Sequence, residues 1–293
     1  MKVAIYGQSF QEEDKCCVHE LLEELEKLDA TIYVEENFNK LVSEVTKGRI
    51  DGLFTASKGL DSSFDMFVSF GGDGTMLRAV TYVKDYGIPI VGVNTGRLGF
   101  LSTFKKENVR KLVTEFVAGH FAVEERTLVE VELNSDLDEF KGLNFALNEV
   151  TVSRKDTTSM ITVETWLNDE YLTSYWSDGL IVSTPTGSTG YSLSCGGPVI
   201  APTAKSLVLT PIAPHNLNAR PLVISDDTQI RLKVSGREKT HLVSLDSRIA
   251  DIPNGKEIRI KKSDFTIKMI EYKSESFLKT LRNKLLWGED KRN

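Results

Sequence analysis

The sharpest signal of chemistry in the sequence is the run Gly71-Gly72-Asp73-Gly74-Thr75. Three glycines let a backbone come close to a ligand and present N–H groups to it. A helix opening at the same place adds a field that favours an anion. A phosphate suits those features. An aspartate at the centre does not, because its charge repels phosphate unless it accepts a proton or holds a metal, so the run points toward catalysis. A tight strand-to-helix turn with Asp73 as its cap is the alternative that the motif by itself leaves open.

A second signal lies at Thr184 to Pro198, where ten of fifteen residues are Ser, Thr or Gly, preceded by Trp176-Ser177-Asp178-Gly179. Hydroxyls and backbone donors with little side-chain bulk suit a polar ligand carrying ribose and phosphate, and Tyr191 adds an aromatic face. A long polar surface loop has the same composition. Asn148-Glu149 interrupts an apolar, strand-like stretch (Ala146, Leu147, Val150, Val152), where a buried polar pair is costly without a partner. The pair either faces a ligand or sits at a turn or sheet edge. The Pro-rich segment from Thr210 to Pro221 holds His215 and Arg220, and a lone histidine there reads as structural. The P-loop signature is absent, and Gly72-x-Gly74-x-x-Leu77 lacks the third glycine of the dinucleotide fingerprint.

The elements that must position these residues change character along the chain. Residues 2 to 6 read as a buried strand, and Val18, Leu21, Leu22, Leu25 and Leu28 then follow at helical spacing. Thr31 to Val34 and Asp65 to Phe70 read as strands, the latter ending at the glycine run. Met76, Leu77 and Val80 resume a helix, and Ile88 to Val93 is a further strand. This alternation implies parallel pairing in an α/β layer. After a helix over Glu107 to Ala118 the period falls to two, as in Val129, Val131 and Leu133, and short strands with turns continue to Ile258 to Ile260. That half reads as all-β. Glu275 to Trp287 regains a helical pattern that could pack back on the first half.

Composition bounds the function. The 293 residues carry 36 Lys and Arg against 42 Asp and Glu, a net charge of −6, which argues against broad nucleic-acid binding. No apolar stretch approaches the ~20 residues of a membrane span, and the amino terminus has no apolar signal core, so a cytoplasmic protein is expected. Cys16, Cys17 and Cys195 fit neither a disulfide framework nor a zinc site.

Taken together, the motifs resemble those of the NAD kinase family, within a wider group that includes diacylglycerol and sphingosine kinases. The resemblance covers nearly the whole chain. It rests on Gly71 to Thr75, Asn94-x-Gly-x-Leu-Gly-Phe100, Asn148-Glu149, Ser177-Asp-Gly-Leu with Ser183-Thr-Pro-Thr-Gly-Ser-Thr189, and Thr210-Pro-x-x-Pro-His215 with Arg220-Pro221. It implies transfer of a phosphoryl group from ATP, with a divalent cation such as Mg2+, to the 2′-hydroxyl of the adenosine ribose of NAD. The implied fold is an amino-terminal α/β, Rossmann-like domain (1–120 plus about 272–293) followed by a β-sandwich domain (121–271) that binds NAD. The implied assembly is a homodimer or homotetramer.

Carried over by position, Asp73 matches the catalytic aspartate that accepts the hydroxyl proton, and Gly71, Gly72, Gly74 and Thr75 match the phosphate loop. Asn148 and Glu149 match the pair contacting ribose. Asp178 matches an aspartate that reaches the ligand from a neighbouring subunit. Thr189, Gly190, Tyr191, Ser192, Leu193 and Ser194 match the nucleotide loop, Phe100 the adenine side, and Arg78 and Ala213 further NAD contacts. Asp246 matches a late aspartate usually followed by Gly-Gln. Here Ser247-Arg248 follows, and an arginine at that place could meet a phosphate. Gly190 stands where alanine is usual.

Two other functions share part of this pattern. A lipid kinase uses the same glycine-rich motif, but no basic amphipathic helix offers a membrane surface here. A dinucleotide-binding regulator without catalysis would keep the loops, although a pure binder gains nothing from Asp73 beside phosphates.

Overall fold

The structure is a computed structural model that describes residues 1–8, 11–96, 98–133, 140, 142–155, 159–272 and 276–286. The chain divides into two compact units, one of Met1–Glu125 with Ile267–Asn293 and one of Arg126–Thr266.

The first unit is built on a parallel sheet. Its elements are β1 (Lys2–Gly7), α1 (Lys15–Glu26), β2 (Thr31–Glu35), α2 (Glu36–Thr46), β3 (Gly52–Phe54), β4 (Met66–Phe70), α3 (Asp73–Val83), β5 (Ile90–Asn94), β6 (Phe104–Lys105) and α4 (Val109–Val117). Strand β4 lies between β1 and β5, and β2 and β3 extend the sheet beyond β1, every pairing parallel. Both β4 and β5 are buried along their whole length, as strands covered on both faces must be, which is why they read as unbroken apolar runs. Helix α1 buries Cys17, Val18, Leu21, Leu22 and Leu25. Leu28, expected on the same face, lies past the end of the helix and is 42% exposed, because the chain turns at Asp29 with φ +50°.

The second unit is antiparallel. After β7 (Phe121–Leu133) come β8 (Phe145–Ala146), β9 (Glu149–Ser153), β10 (Ile161–Leu167), β11 (Glu170–Ser177), β12 (Gly179–Ser183), the short α5 (Tyr191–Ser194), β13 (Ser206–Ile212), β14 (Leu222–Ser225), β15 (Ile230–Ser235), β16 (Thr240–Leu245), β17 (Arg248–Pro253) and β18 (Glu257–Tyr272). One sheet runs β14-β13-β12-β9-β16-β17, and a second layer runs β11-β10-β15-β18. Alternate residues of the two layers, such as Val150 and Val152 with Val163, Leu232 and Ile258, form one buried core. The end of β18 returns to the first unit, where Met269 pairs in parallel with Ile90 of β5. Helix α6 (Phe277–Leu285) follows, started by Ser276, whose hydroxyl accepts the N–H of Lys279. The helical pattern expected over 275–287 is thus present over its middle; residues 273–275 and 287–293 lie outside the described residues. Among the described residues no helix is long and apolar enough to cross a membrane.

Candidate active site

The glycine run sits where a ligand would meet a parallel sheet, at the carboxyl end of a central strand, between β4 and the first turn of α3. Gly71 holds φ +145°, and a Cβ there would lie 2.3 Å from Thr75 Oγ1, so no side chain fits. Around Gly72 and Gly74 nothing among the described residues lies within 4 Å of a built Cβ, so the space beside both is open.

Asp73 is the first residue of α3, and its carboxylate is fixed by a turn that follows β5. Oδ2 accepts the N–H of Phe100 at 2.8 Å, and Oδ1 accepts those of Leu101 and Ser102, both at 3.0 Å. Ser102 Oγ donates to Gly71 O at 2.8 Å, closing the turn onto the glycine run. Asn94 supports the same turn by accepting the N–H of Gly96 at 2.8 Å and donating to Ser102 O at 3.3 Å. A Cβ at Gly99 would lie 1.8 Å from Asp73 Oδ1, so the glycine is required for the carboxylate to seat. A carboxylate has about four acceptor positions, and three are used here, which leaves one on Oδ2. That is the position at which Asp73 could take a proton. Arg78 lies one and a half turns along α3 on its exposed side, and Phe100 is half-buried.

In the second unit a separate group forms around Asn148 and Glu149. Asp246 organises it. Its backbone is left-handed, φ +53°, its side chain is 3% exposed, and its carboxylate accepts the N–H groups of Leu147, Asn148 and Glu149 at 2.9, 2.8 and 3.2 Å. The carbonyl of Asn148 is taken by the N–H of Thr184 at 2.9 Å, and Thr184 Oγ1 donates to Leu147 O at 2.6 Å. Gly187 packs against this strand so closely that a Cβ would lie 2.1 Å from Asn148 O. With the backbone so held, two side-chain acceptors, Asn148 Oδ1 and Glu149 Oε2, are buried with no hydrogen-bond partner among the described residues, as is Thr186 Oγ1. Burial, with the Asp246 charge behind it, pushes the Glu149 carboxyl up to about 8.

The Ser, Thr and Gly stretch is no surface loop in its first half, because Thr184 to Ser188 are buried. Thr189 and Gly190 are half-buried, and a Cβ on Gly190 would lie 3.4 Å from both Asn148 Nδ2 and Glu149 Oε2, so this glycine lies against the pair. In α5, Ser192 is buried and shares a hydrogen bond with Thr210 at 2.8 Å, whereas Tyr191 and Ser194 are exposed and Leu193 is intermediate. Burial nonetheless raises the Tyr191 hydroxyl. Asp178 accepts from Arg154 Nη2 at 3.0 Å. Ala213 is exposed with φ +43°. Arg248 donates through both Nη atoms to the carbonyls of Leu143 and Phe145 and stands 3.9 Å from Asp246. Its guanidinium therefore clamps the chain entering the Asn148 segment. Gly99, Ser102, Thr184 and Gly187 also belong to the site, because they seat the named residues; three lie within the quoted motifs and Ser102 lies two residues beyond one.

Among the described residues no three His, Cys, Asp or Glu side chains gather as a metal cage. Mg2+ rarely needs one, since it keeps several waters and binds through substrate phosphates and one or two carboxylates. The donors present are compatible with a cation that arrives on a nucleotide.

Comparison with known proteins finds relatives over nearly the whole chain. Residues 7–121 match the ATP-NAD kinase N-terminal domain and residues 147–272 the ATP-NAD kinase C-terminal domain. An NAD kinase of Flavobacterium johnsoniae is 55% identical over 294 residues, covering 100% of both chains. The crystal structure of an NAD kinase from Archaeoglobus fulgidus in complex with ATP superimposes with a TM-score of 0.75 at 29% identity, covering 98% of this chain and 99% of that one. A yeast NADH kinase complexed with NADH shares the fold, with a TM-score of 0.85 at 24% identity over 99% of this chain and 88% of its own. The chain belongs to the ATP-NAD kinase family.

Proposed function

We propose that the chain transfers the γ-phosphoryl group of ATP to the 2′-hydroxyl of the adenosine ribose of NAD, giving NADP and ADP. The observation that carries this reading is the pair of buried, unpartnered acceptors Asn148 Oδ1 and Glu149 Oε2, held in place by Asp246. An unmet buried acceptor costs about 1–3 kcal/mol, and ribose hydroxyls are donors that would meet it. In this reading the β-sandwich unit, with Asn148, Glu149 and the loop from Thr189 to Ser194, holds NAD. The α/β unit supplies the phosphate chemistry.

Phosphate oxygens would accept from N–H groups of the glycine run at the start of α3. The remaining acceptor position on Asp73 Oδ2 would take the proton of the attacking hydroxyl. Phosphoryl transfer has a loose transition state, so positioning and charge neutralisation do most of the work and a weak base suffices. A divalent cation, Mg2+ in this proposal, would enter on the triphosphate and neutralise its charge.

The chain would work as a homodimer or homotetramer, with Asp178 acting across subunits. Mixing Asp178→Ala subunits with Asp73→Asn subunits should then restore part of the activity, and no recovery would refute the shared site. The reading as a whole is tested by incubating the protein with NAD, ATP and Mg2+ and reading NADP through an NADP-specific dehydrogenase. NADP formation is expected. Binding of NAD without turnover would favour a regulator instead.

A further inference from the structure

A cavity of about 650 Å³ in the first unit is used by none of the residues assigned above. It lies between the start of α4, the end of β18 and α6, and is lined by Lys105, Lys111 and Lys279, the carboxamides of Asn108 and Asn283, and Tyr272. Its size falls in the range of pockets that enclose small organic ligands.

The lining is cationic in a chain whose net charge is −6. The three lysines face one carboxylate, Glu115, which is already paired with His120 at 3.2 Å. Lys105 and Lys111 make no side-chain hydrogen bond or ion pair among the described residues. Their neighbour Lys106 is different, being bound by the buried Asp14. The fold therefore pairs Lys106 directly with a carboxylate and leaves Lys105 and Lys111 without an ion pair among the described residues.

Three further groups in the wall lack intramolecular partners or offer contact. Asn108 stands at the N-cap of α4 but makes no capping hydrogen bond, so its carboxamide is available. The Tyr272 hydroxyl is buried without a hydrogen-bond partner among the described residues, which is costly unless something else supplies one. Phe104 stacks on Tyr272 with ring centroids 4.7 Å apart, giving one apolar wall.

We infer that this cavity is a second anion site, which takes a small phosphorylated molecule with its phosphate oxygens on Lys105 and Lys111. Ammonium groups are point-charge partners for phosphate, and both lysines are exposed, so they can be reached from solvent. Asn108 and Tyr272 would supply neutral donors. A diphosphate group is the shared chemistry, and it could come from an inorganic diphosphate or from a nucleotide whose base rests on the Phe104 wall. The site does not depend on the kinase reading.

The test uses residue-resolved acetylation of lysines in the intact protein, with pyrophosphate in one arm and ADP in the other. Because protection is read at each lysine, binding at the glycine run does not interfere. Protection of Lys105 and Lys111 by at least about fivefold is expected at probe concentrations up to about 10 mM, enough to reveal even a millimolar site. Protection by both probes identifies the phosphates as sufficient, and protection by ADP alone identifies a nucleotide. Calorimetry on the Lys105→Gln/Lys111→Gln variant should show about tenfold weaker binding of the protecting probe at this site, with kcat/KM for NAD and ATP unchanged. No protection by either probe, or a double variant that binds as the parent does, would overturn the inference.

Discussion

Glu149→Gln separates the burial of the proposed ribose pair from its chemistry. The carboxyl is moved from 4.5 to about 8 by burial and, second, by the Asp246 charge. In the ligand-free protein the folded chain therefore keeps a proton that the unfolded chain releases above pH 4.5. The stabilisation is fully present below that pH and is lost as pH rises through 8. A carboxyl so displaced makes stability fall by up to ~1.4 kcal/mol per pH unit in that window. Between pH 5.5 and 7.5 the loss amounts to about 3 kcal/mol. Glutamine keeps the shape and does not titrate. Urea unfolding of parent and variant at both pH values isolates the effect of Glu149 and its coupling to Asp246, since the groups not coupled to Glu149 titrate alike in the two proteins. The stability of the variant relative to the parent should rise by about 3 kcal/mol from pH 5.5 to 7.5. Parallel pH profiles would refute the argument that Glu149 is buried without a partner.

Two other substitutions probe the parts that seat the site. Gly99→Ala would drive a methyl group into Asp73 Oδ1 and displace the carboxylate, so kcat should fall by about 100-fold with the melting temperature little changed. Activity within threefold of the parent would show that the carboxylate's seat is unimportant. Asp246→Asn leaves one of three backbone N–H groups facing an amide donor, so it should cost about 2–3 kcal/mol in urea unfolding and raise KM for NAD. It also removes a charge that raises Glu149, so the titration of Glu149 should move below 8, and an unmoved profile would contradict the coupling.

The alternation of strand and helix in the first half and the period-two strands in the second were both legible, because hydrophobic spacing records which face is buried. Helix α2 escaped that reading. It buries Phe38, Val42 and Thr46 alone, is kinked at Val42, and is capped by the Glu35 side chain accepting from Phe38 N–H rather than by a Ser, Thr, Asp or Asn. The glycine run announced itself through composition, and the structure brings it together with Asp73 at a strand end. What holds Asp73 did not, since Phe100, Leu101 and Ser102 donate backbone N–H groups, which carry no side-chain signature. The role of Asp246 in holding the Asn148 segment is hidden for a related reason. The aspartate lies nearly one hundred residues from Asn148, and only the pairing of β9 with β16 makes them neighbours. The partners of Arg248 are hidden in the same way, because its two Nη atoms hold the backbone carbonyls of Leu143 and Phe145, which carry no side-chain signature.

The central claim is that Asp73 carries out the chemistry while the Asn148–Glu149 pair holds the dinucleotide. It is tested most directly by measuring NADP formation and NAD affinity together in the parent and in Asp73→Asn. Asparagine fills the same space and can still accept at one oxygen, but it cannot take the proton. The account predicts that turnover falls by at least about 100-fold while the Kd for NAD stays within about threefold. Turnover at the parent's rate would contradict it.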